Sequence, residues 1–175
     1  LRSVQEDLLT YGYSLVVYNA YRPKKSSDEF NDWLQNEEPK GTKDLYYPNI
    51  KKENIKSKGC IKEKYAHIRG STVDVTIISS KGKLKSPGQK EKRSYQDQKD
   101  IIVENDGSLD MGTSYDLFDP LSEFNNQNIS EVAIKNRELL REAMQNRGFV
   151  PSSKFWWQFT LVREPYMDSQ FDFDV

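Results

Sequence analysis

His67 and Asp74 are the residues whose types and spacing first suggest chemistry. His67 is the only histidine in the chain, and Asp74 lies inside the β-branched run Thr72-Val73-Asp74-Val75-Thr76-Ile77-Ile78. A neutral imidazole and a carboxylate are both good zinc ligands. They can face one point if the segment between them folds back, and Gly70 permits such a turn. On spacing alone the signal is weak, and a satisfied structural histidine is the ordinary explanation. Asp74 is stranger, because a carboxylate within an apolar strand needs a cation or hydrogen-bond donors. Arg22 is the third candidate. It follows the apolar run Ser14-Leu15-Val16-Val17-Tyr18 and precedes Pro23, which restricts its backbone. A guanidinium fixed at a strand end can stabilise an oxyanion; a surface arginine is the plain alternative.

Composition bounds what these residues can do. The chain has 175 residues with 26 Lys+Arg against 27 Asp+Glu, a net charge of −1. That balance argues against a nucleic-acid-binding surface, and the length suits a single domain over 1–175. One His and one Cys exclude an internal disulfide and any zinc site made of His and Cys alone. Aromatics at 12% are too many for a disordered chain. No stretch approaches the roughly 20 apolar residues of a membrane helix. The first residue is Leu1 rather than Met, so the compartment stays open between cytoplasmic and secreted or periplasmic.

The elements that must position the candidates follow from periodicity. Residues 1–11 have helical spacing in Val4, Leu8 and Tyr11, and 14–18 reads as a buried strand. A helix is expected after Pro23, capped by Ser26 or Ser27, with Asp28 and Glu29 in its first turn and Phe30, Trp33 and Leu34 as its apolar stripe. Residues 42–66 look irregular, and 72–78 is the best strand. Residues 79–108 read as a long polar surface excursion. Asn128-Ile129-Ser130 fits a glycosylation acceptor but better fits the start of a helix over 130–147 closed by Gly148. Val132, Ala133, Leu139, Leu140, Ala143 and Met144 form that helix's expected core face. Phe155–Val162 is the expected last strand, and Phe171-Asp172-Phe173-Asp174-Val175 an aromatic tail tucked against the body. This order predicts an α+β fold, an antiparallel sheet with helices on one side, with some loops long enough to hide short strands.

A series of short motifs narrows this further. Tyr21-Arg22-Pro23, Tyr46-Tyr47-Pro48-Asn49-Ile50, Ser57-Lys58-Gly59 and His67-x-x-Gly70-Ser71-x-x-Asp74 occur in that order. They are followed by Met111-Gly112-Thr113-Ser114-Tyr115-Asp116, Asn136-Arg137, Gly148-Phe149, Trp156-Trp157, Glu164-Pro165-Tyr166 and the tail. In order and approximate spacing the set resembles the D-alanyl-D-alanine dipeptidases, a zinc peptidase family associated with vancomycin resistance. The resemblance covers nearly the whole chain and implies that the family's N-terminal segment is missing. It also implies an α+β fold shared with a wider superfamily that includes the signalling domain of hedgehog proteins. It implies one zinc held by His, Asp and a second His, a Glu as general base, an Arg for the tetrahedral intermediate and an Asp for the substrate ammonium. Position by position, His67 and Asp74 match the first two zinc ligands, Arg22 the oxyanion-stabilising Arg and Asp116 the ammonium-binding Asp.

Two positions depart from the family. Where it has Glu-Trp-Trp-His, this chain reads Phe155-Trp156-Trp157-Gln158. Phe155 stands at the general base and Gln158 at the third zinc ligand. Tyr65 replaces a Ser expected in the substrate pocket and could occlude it. A phenyl ring accepts no proton, and losing a general base forfeits a factor of about 10² to 10⁴. Cys60, Lys154 and Glu164 are weak substitutes: Cys60 matches a non-ligand position, Lys154 is expected on the opposite strand face and Glu164 has a counterpart outside the catalytic set. Zinc binding is therefore expected to be weak or absent. Three functions remain open: a degenerate homologue that binds a dipeptide, peptide or protein partner, an active zinc dipeptidase with an atypical site, or an interaction protein using the 79–108 excursion.

Overall fold

The computed structural model describes residues 1–57, 67–95 and 99–174, with the side chains of 56 and 57 left aside. Its centre is β2 (Thr72–Ser79), buried at all but its last residue. A strand covered on both faces suits the β-branched run that forms it. It lies antiparallel between β1 (Tyr13–Asn19) and β6 (Gln158–Leu161), and β5 (Phe149–Pro151) completes the sheet in the order β1-β2-β6-β5. Alternate residues Val73, Val75 and Ile77 join Phe159 and Phe149 in one core with Val4 and Leu8 of α1 (Arg2–Thr10) and Leu140 and Met144 of α5 (Glu131–Gln145). The α+β expectation, an antiparallel sheet with helices, holds.

Ser130 caps α5 as expected, its hydroxyl accepting from the Ala133 amide (3.1 Å). The buried stripe of α5 is Ala133, Arg137, Leu140 and Met144. Val132 is not part of it; it is 61% exposed. Arg137 takes the central place, and its guanidinium donates to the carbonyls of Met111 (2.8 Å), Glu123 (2.9 Å) and Leu121 (2.9 Å). Burial pushes this guanidinium down to about 9, still cationic at neutral pH. The 111–123 segment, which includes the short 3-10 turn Pro120–Ser122, is therefore fastened to α5 by one side chain. Gly112 meets α5 closely: a Cβ there would come within 3.1 Å of the Ile129 side chain and 3.3 Å of Ala133.

Several local expectations shift. The helix after Pro23, α2 (Lys24–Gln35), starts before either serine, and Pro23 holds its N-cap position without a side-chain cap. Residues expected to be irregular include two short helices, α3 (Thr42–Tyr46) and α4 (Asn54–Ser57). The 79–108 excursion holds a hairpin, β3 (Gln89–Arg93) against β4 (Ile101–Asn105). Ile101 and Val103 of β4 pack with Leu117, Leu121, Ile129 and Ala133. The last strand is shorter than 155–162 because residues before Gln158 form turns, with Phe155, Trp156 and Trp157 all buried. The aromatic tail, expected against the body, lies against the start of α2. Among the described residues, no helix is long and apolar enough to cross a membrane.

Replacing Arg137 by Met should leave three carbonyls without their donor and cost about 3–5 kcal/mol. Urea unfolding would read this as a lower midpoint. Lys at 137 should recover only part of the loss, since an ammonium cannot serve three carbonyls in a planar fork.

Candidate functional site

His67 opens a tight turn that closes when the Gly70 amide donates to the His67 carbonyl (3.1 Å), with Gly70 at φ +69°. The Arg22 amide donates to the same carbonyl (3.3 Å). The ring is buried, and its Nδ1 faces two carbonyl oxygens, Ala20 (2.8 Å) and Thr72 (3.1 Å). Two acceptors there require Nδ1 to carry a proton. In the neutral ring, Nε2 is therefore the lone-pair nitrogen. It lies 3.3 Å from Gln158 Nε2 and 3.3 Å from Asp74 Oδ2. In the neutral ring the Gln158 amide is placed to donate to that lone pair; in the protonated ring His67 Nε2 pairs with Asp74.

Asp74 and Gln158 are direct cross-strand partners in β2 and β6. Across the other edge, a register shift between Val17 and Asn19 brings Asn19 opposite Asp74. Asn19 Nδ2 donates to Asp74 Oδ2 (3.1 Å), and so does the Tyr115 hydroxyl (3.1 Å). Asp74 Oδ1 is buried and has no hydrogen-bond partner among the described residues. Tyr115 is held by stacking on Tyr18 (centroids 4.5 Å apart) and edge-on to Trp157 (5.5 Å). Burial, with the charges of Asp116 and Asp74, pushes the Tyr115 hydroxyl well up, so it stays a donor.

Asp116 follows at φ 60°, a left-handed conformation that Asp tolerates better than most residues. Burial pushes its carboxyl up to about 7, helped by the charge of Asp74 and opposed by Arg22 and His67. Arg22, Asp74, His67 and Asp116 thus form one electrostatic cluster. A cleft of about 490 Å³ is lined by Asp116 together with Tyr18, Tyr115 and Trp156 and by Lys90 and Arg93 of β3.

Phe155 lies in the aromatic core, stacked on Trp157 (4.8 Å) and edge-on to Phe118 (5.8 Å). Lys154 belongs to a turn, not a strand, so strand alternation does not govern it; its Nζ pairs with Glu123 (2.7 Å). Glu164 is engaged by both Arg69 nitrogens (2.6 and 3.0 Å), and that guanidinium holds its carboxyl below the usual range. Tyr65 and Cys60 lie outside the described residues. The sequence motifs include Tyr115 and Arg137 but assign neither a role, and Asn19 is in none of them. The spacing 133, 137, 140, 144 places an arginine on an apolar helix stripe, a signal that could have marked Arg137.

A family model described as D-ala-D-ala dipeptidase matches residues 1–91 and 94–175. The D-alanyl-D-alanine dipeptidase of Enterococcus faecium is 33% identical over 175 residues, covering all of this chain and 75% of its own length. Those of Enterococcus faecalis and Streptomyces coelicolor are 31% and 30% identical at the same coverage. The chain belongs to the D-Ala-D-Ala dipeptidase family.

Within that family's frame, the donors here fit poorly with the zinc that the sequence motifs imply. Gln158 turns a hydrogen-bond donor, not a ligand atom, toward His67. Rotating the amide would offer only a neutral carbonyl oxygen, a donor type better suited to Mg, Ca or Mn than to zinc. Among the described residues, no three His, Cys, Asp or Glu side chains converge on one point.

The Asp116 carboxyl predicts a pH dependence. Its folded pKa of about 7 lies above the ordinary 3.8. Between those values the folded protein keeps a proton that the unfolded chain has lost, so stability falls as pH rises toward 7. Asp116→Asn should match the original protein near pH 4 and exceed it at pH 8 by roughly 1–3 kcal/mol. Thermal melts across that range would check the divergence.

Proposed function

We propose that this member of the D-Ala-D-Ala dipeptidase family binds a zwitterionic dipeptide or a related peptide and does not hydrolyse it by a metal route. The observation that carries this reading is the Gln158 amide nitrogen lying 3.3 Å from His67 Nε2, where it donates to the lone pair of the neutral ring. A metal ligand needs that lone pair, and here another side chain of the site takes it. Phe155 supports the same reading, since its ring sits in an aromatic stack at the position where the resemblance places the base.

The binding half rests on charges of opposite sign in one cluster. The cationic guanidinium of Arg22 suits a ligand carboxylate or carbonyl oxygen, and the carboxylate of Asp116 suits an ammonium. The ammonium contact requires Asp116 to be ionised. Affinity should therefore rise between pH 6 and pH 8, and the rise should vanish in Asp116→Asn. Titration calorimetry with D-alanyl-D-alanine measures both. Arg22→Ala should weaken binding at all pH values by about tenfold or more.

Asp74 Oδ1, buried without a hydrogen-bond partner among the described residues, favours a second reading: an active zinc dipeptidase whose atypical site holds a cation at that oxygen. Metal analysis of purified protein together with a hydrolysis assay separates the two. Substoichiometric zinc and no turnover fit the binding role; stoichiometric zinc with clear turnover would sink it. Gln158→His alone should raise zinc occupancy by freeing the imidazole and adding a ligand. Phe155→Glu, added to it, should raise hydrolysis by a further factor of about 10² to 10⁴.

A further inference from the structure

The first turn of α2 lacks a cap of its own. Pro23 occupies the N-cap position and offers no side-chain acceptor, so the first amides of the helix need partners from elsewhere. They find them at the far end of the chain. The Lys24 amide donates to the Phe171 carbonyl (3.3 Å), and the Lys25 amide donates to Asp172 Oδ1 (2.9 Å). A carboxylate at this place also answers the positive end of the helix. The Lys25 ammonium pairs with Asp174.

The tail grips the other side of Arg22 as well. The Phe173 amide donates to the Tyr21 hydroxyl oxygen (2.7 Å), and that hydroxyl reaches the Phe173 carbonyl (3.4 Å). Their rings lie 5.6 Å apart, and Phe173 stacks in turn on Phe171 (5.0 Å). Tyr21 and Lys24–Lys25 are therefore both held by 171–174, and Arg22 lies between them. Its amide donates to the His67 carbonyl, so the backbone of Arg22 is tied to the site on one side and bracketed by the tail on both flanks.

We propose that the C-terminal segment 171–174 is a positioning element for Arg22: by capping α2 and clasping Tyr21 it fixes where the guanidinium meets a bound ligand. The ligand contact of Arg22 rests on the binding function proposed above; the hold of the tail on 21–25 does not.

The test uses Asp172→Ala, which removes the cap, and Asp172→Asn, which keeps an acceptor oxygen. In ligand-free protein, Asp172→Ala should speed amide hydrogen exchange at Arg22 and Lys25 by about fivefold or more, as expected for losing a cap. Asp172→Asn should restore most of the protection. Calorimetry with D-alanyl-D-alanine should show Asp172→Ala weakening binding by about fivefold in the original background. In Arg22→Ala it should cause no further loss, because the positioned group is gone. An equal loss in both backgrounds would mean general loosening and would overturn the proposal, as would full affinity in Asp172→Ala. If the original protein does not bind the dipeptide, the binding function fails, and exchange alone decides: unchanged exchange at Arg22 then overturns the positioning role.

Discussion

Asp74 puts a carboxylate in the middle of a strand buried on both faces, and much of the site is arranged around that charge. Burying an uncompensated carboxylate costs several kcal/mol, so each neighbouring element contributes a donor or is shaped to bring one near. The bulge in β1 has two effects. The extra residue, Tyr18, shifts the register so that Asn19 lies opposite Asp74. Tyr18 also stacks on Tyr115, whose hydroxyl is a second donor to the same oxygen. Bulges recur beside functional sites because one inserted residue can re-aim the next.

The same charge couples to Asp116. Burial and the charge of Asp74 push the Asp116 carboxyl up to about 7 against Arg22 and His67. What keeps Asp116 near Asp74 despite this repulsion is not local. The 111–123 segment is fastened by Arg137, whose three bonds to carbonyls fix the segment whatever the charge state of the site. On the opposite flank, Arg22 depends on the tail. The cluster is assembled by contacts from α5 and from the C-terminal segment, neither of which supplies a residue to it.

That arrangement explains which parts could be read from the sequence. β2 announces itself through its β-branched run, and α5 through Ser130 and its apolar spacing, because their signals are local. The motifs placed His67, Asp74, Arg22, Asp116 and Gln158 in one site, and geometry brings all five to one region. The start of α2 was misplaced because its cap is Asp172, some 147 residues away, while two serines nearby offered a plausible local cap. β3 escaped notice because Gln89-Lys90-Glu91-Lys92-Arg93 has no apolar face at all; it exists by pairing with β4, which alone carries buried residues. Phe155-Trp156-Trp157 looks like strand, yet its rings are buried by turns that splay them into the core. The roles of Tyr115 and Asn19 were missed because they come from a register shift, which no single segment encodes.

If, as the resemblance implies, Phe155 and Gln158 stand where the family has its base and third zinc ligand, the two residues make physical sense together under the binding function proposed above. A bound dication would offset the negative charge of Asp74 and of any carboxylate at position 155. Replace the third ligand with an amide that donates to His67 and that compensation weakens. A Glu at 155 would then be a buried acid, one ring away from Tyr115 and its bond to Asp74, with no cation to answer it. Its choices would be to hold a proton at neutral pH or to destabilise the fold. A phenyl ring avoids both and adds a stacked contact with Trp157, worth about 0.5–1.5 kcal/mol beyond its burial. Gln158 in turn satisfies the imidazole lone pair, which would otherwise be buried without a donor. On the binding reading, Phe155 removes the cost that losing the third ligand would create for a carboxylate at 155.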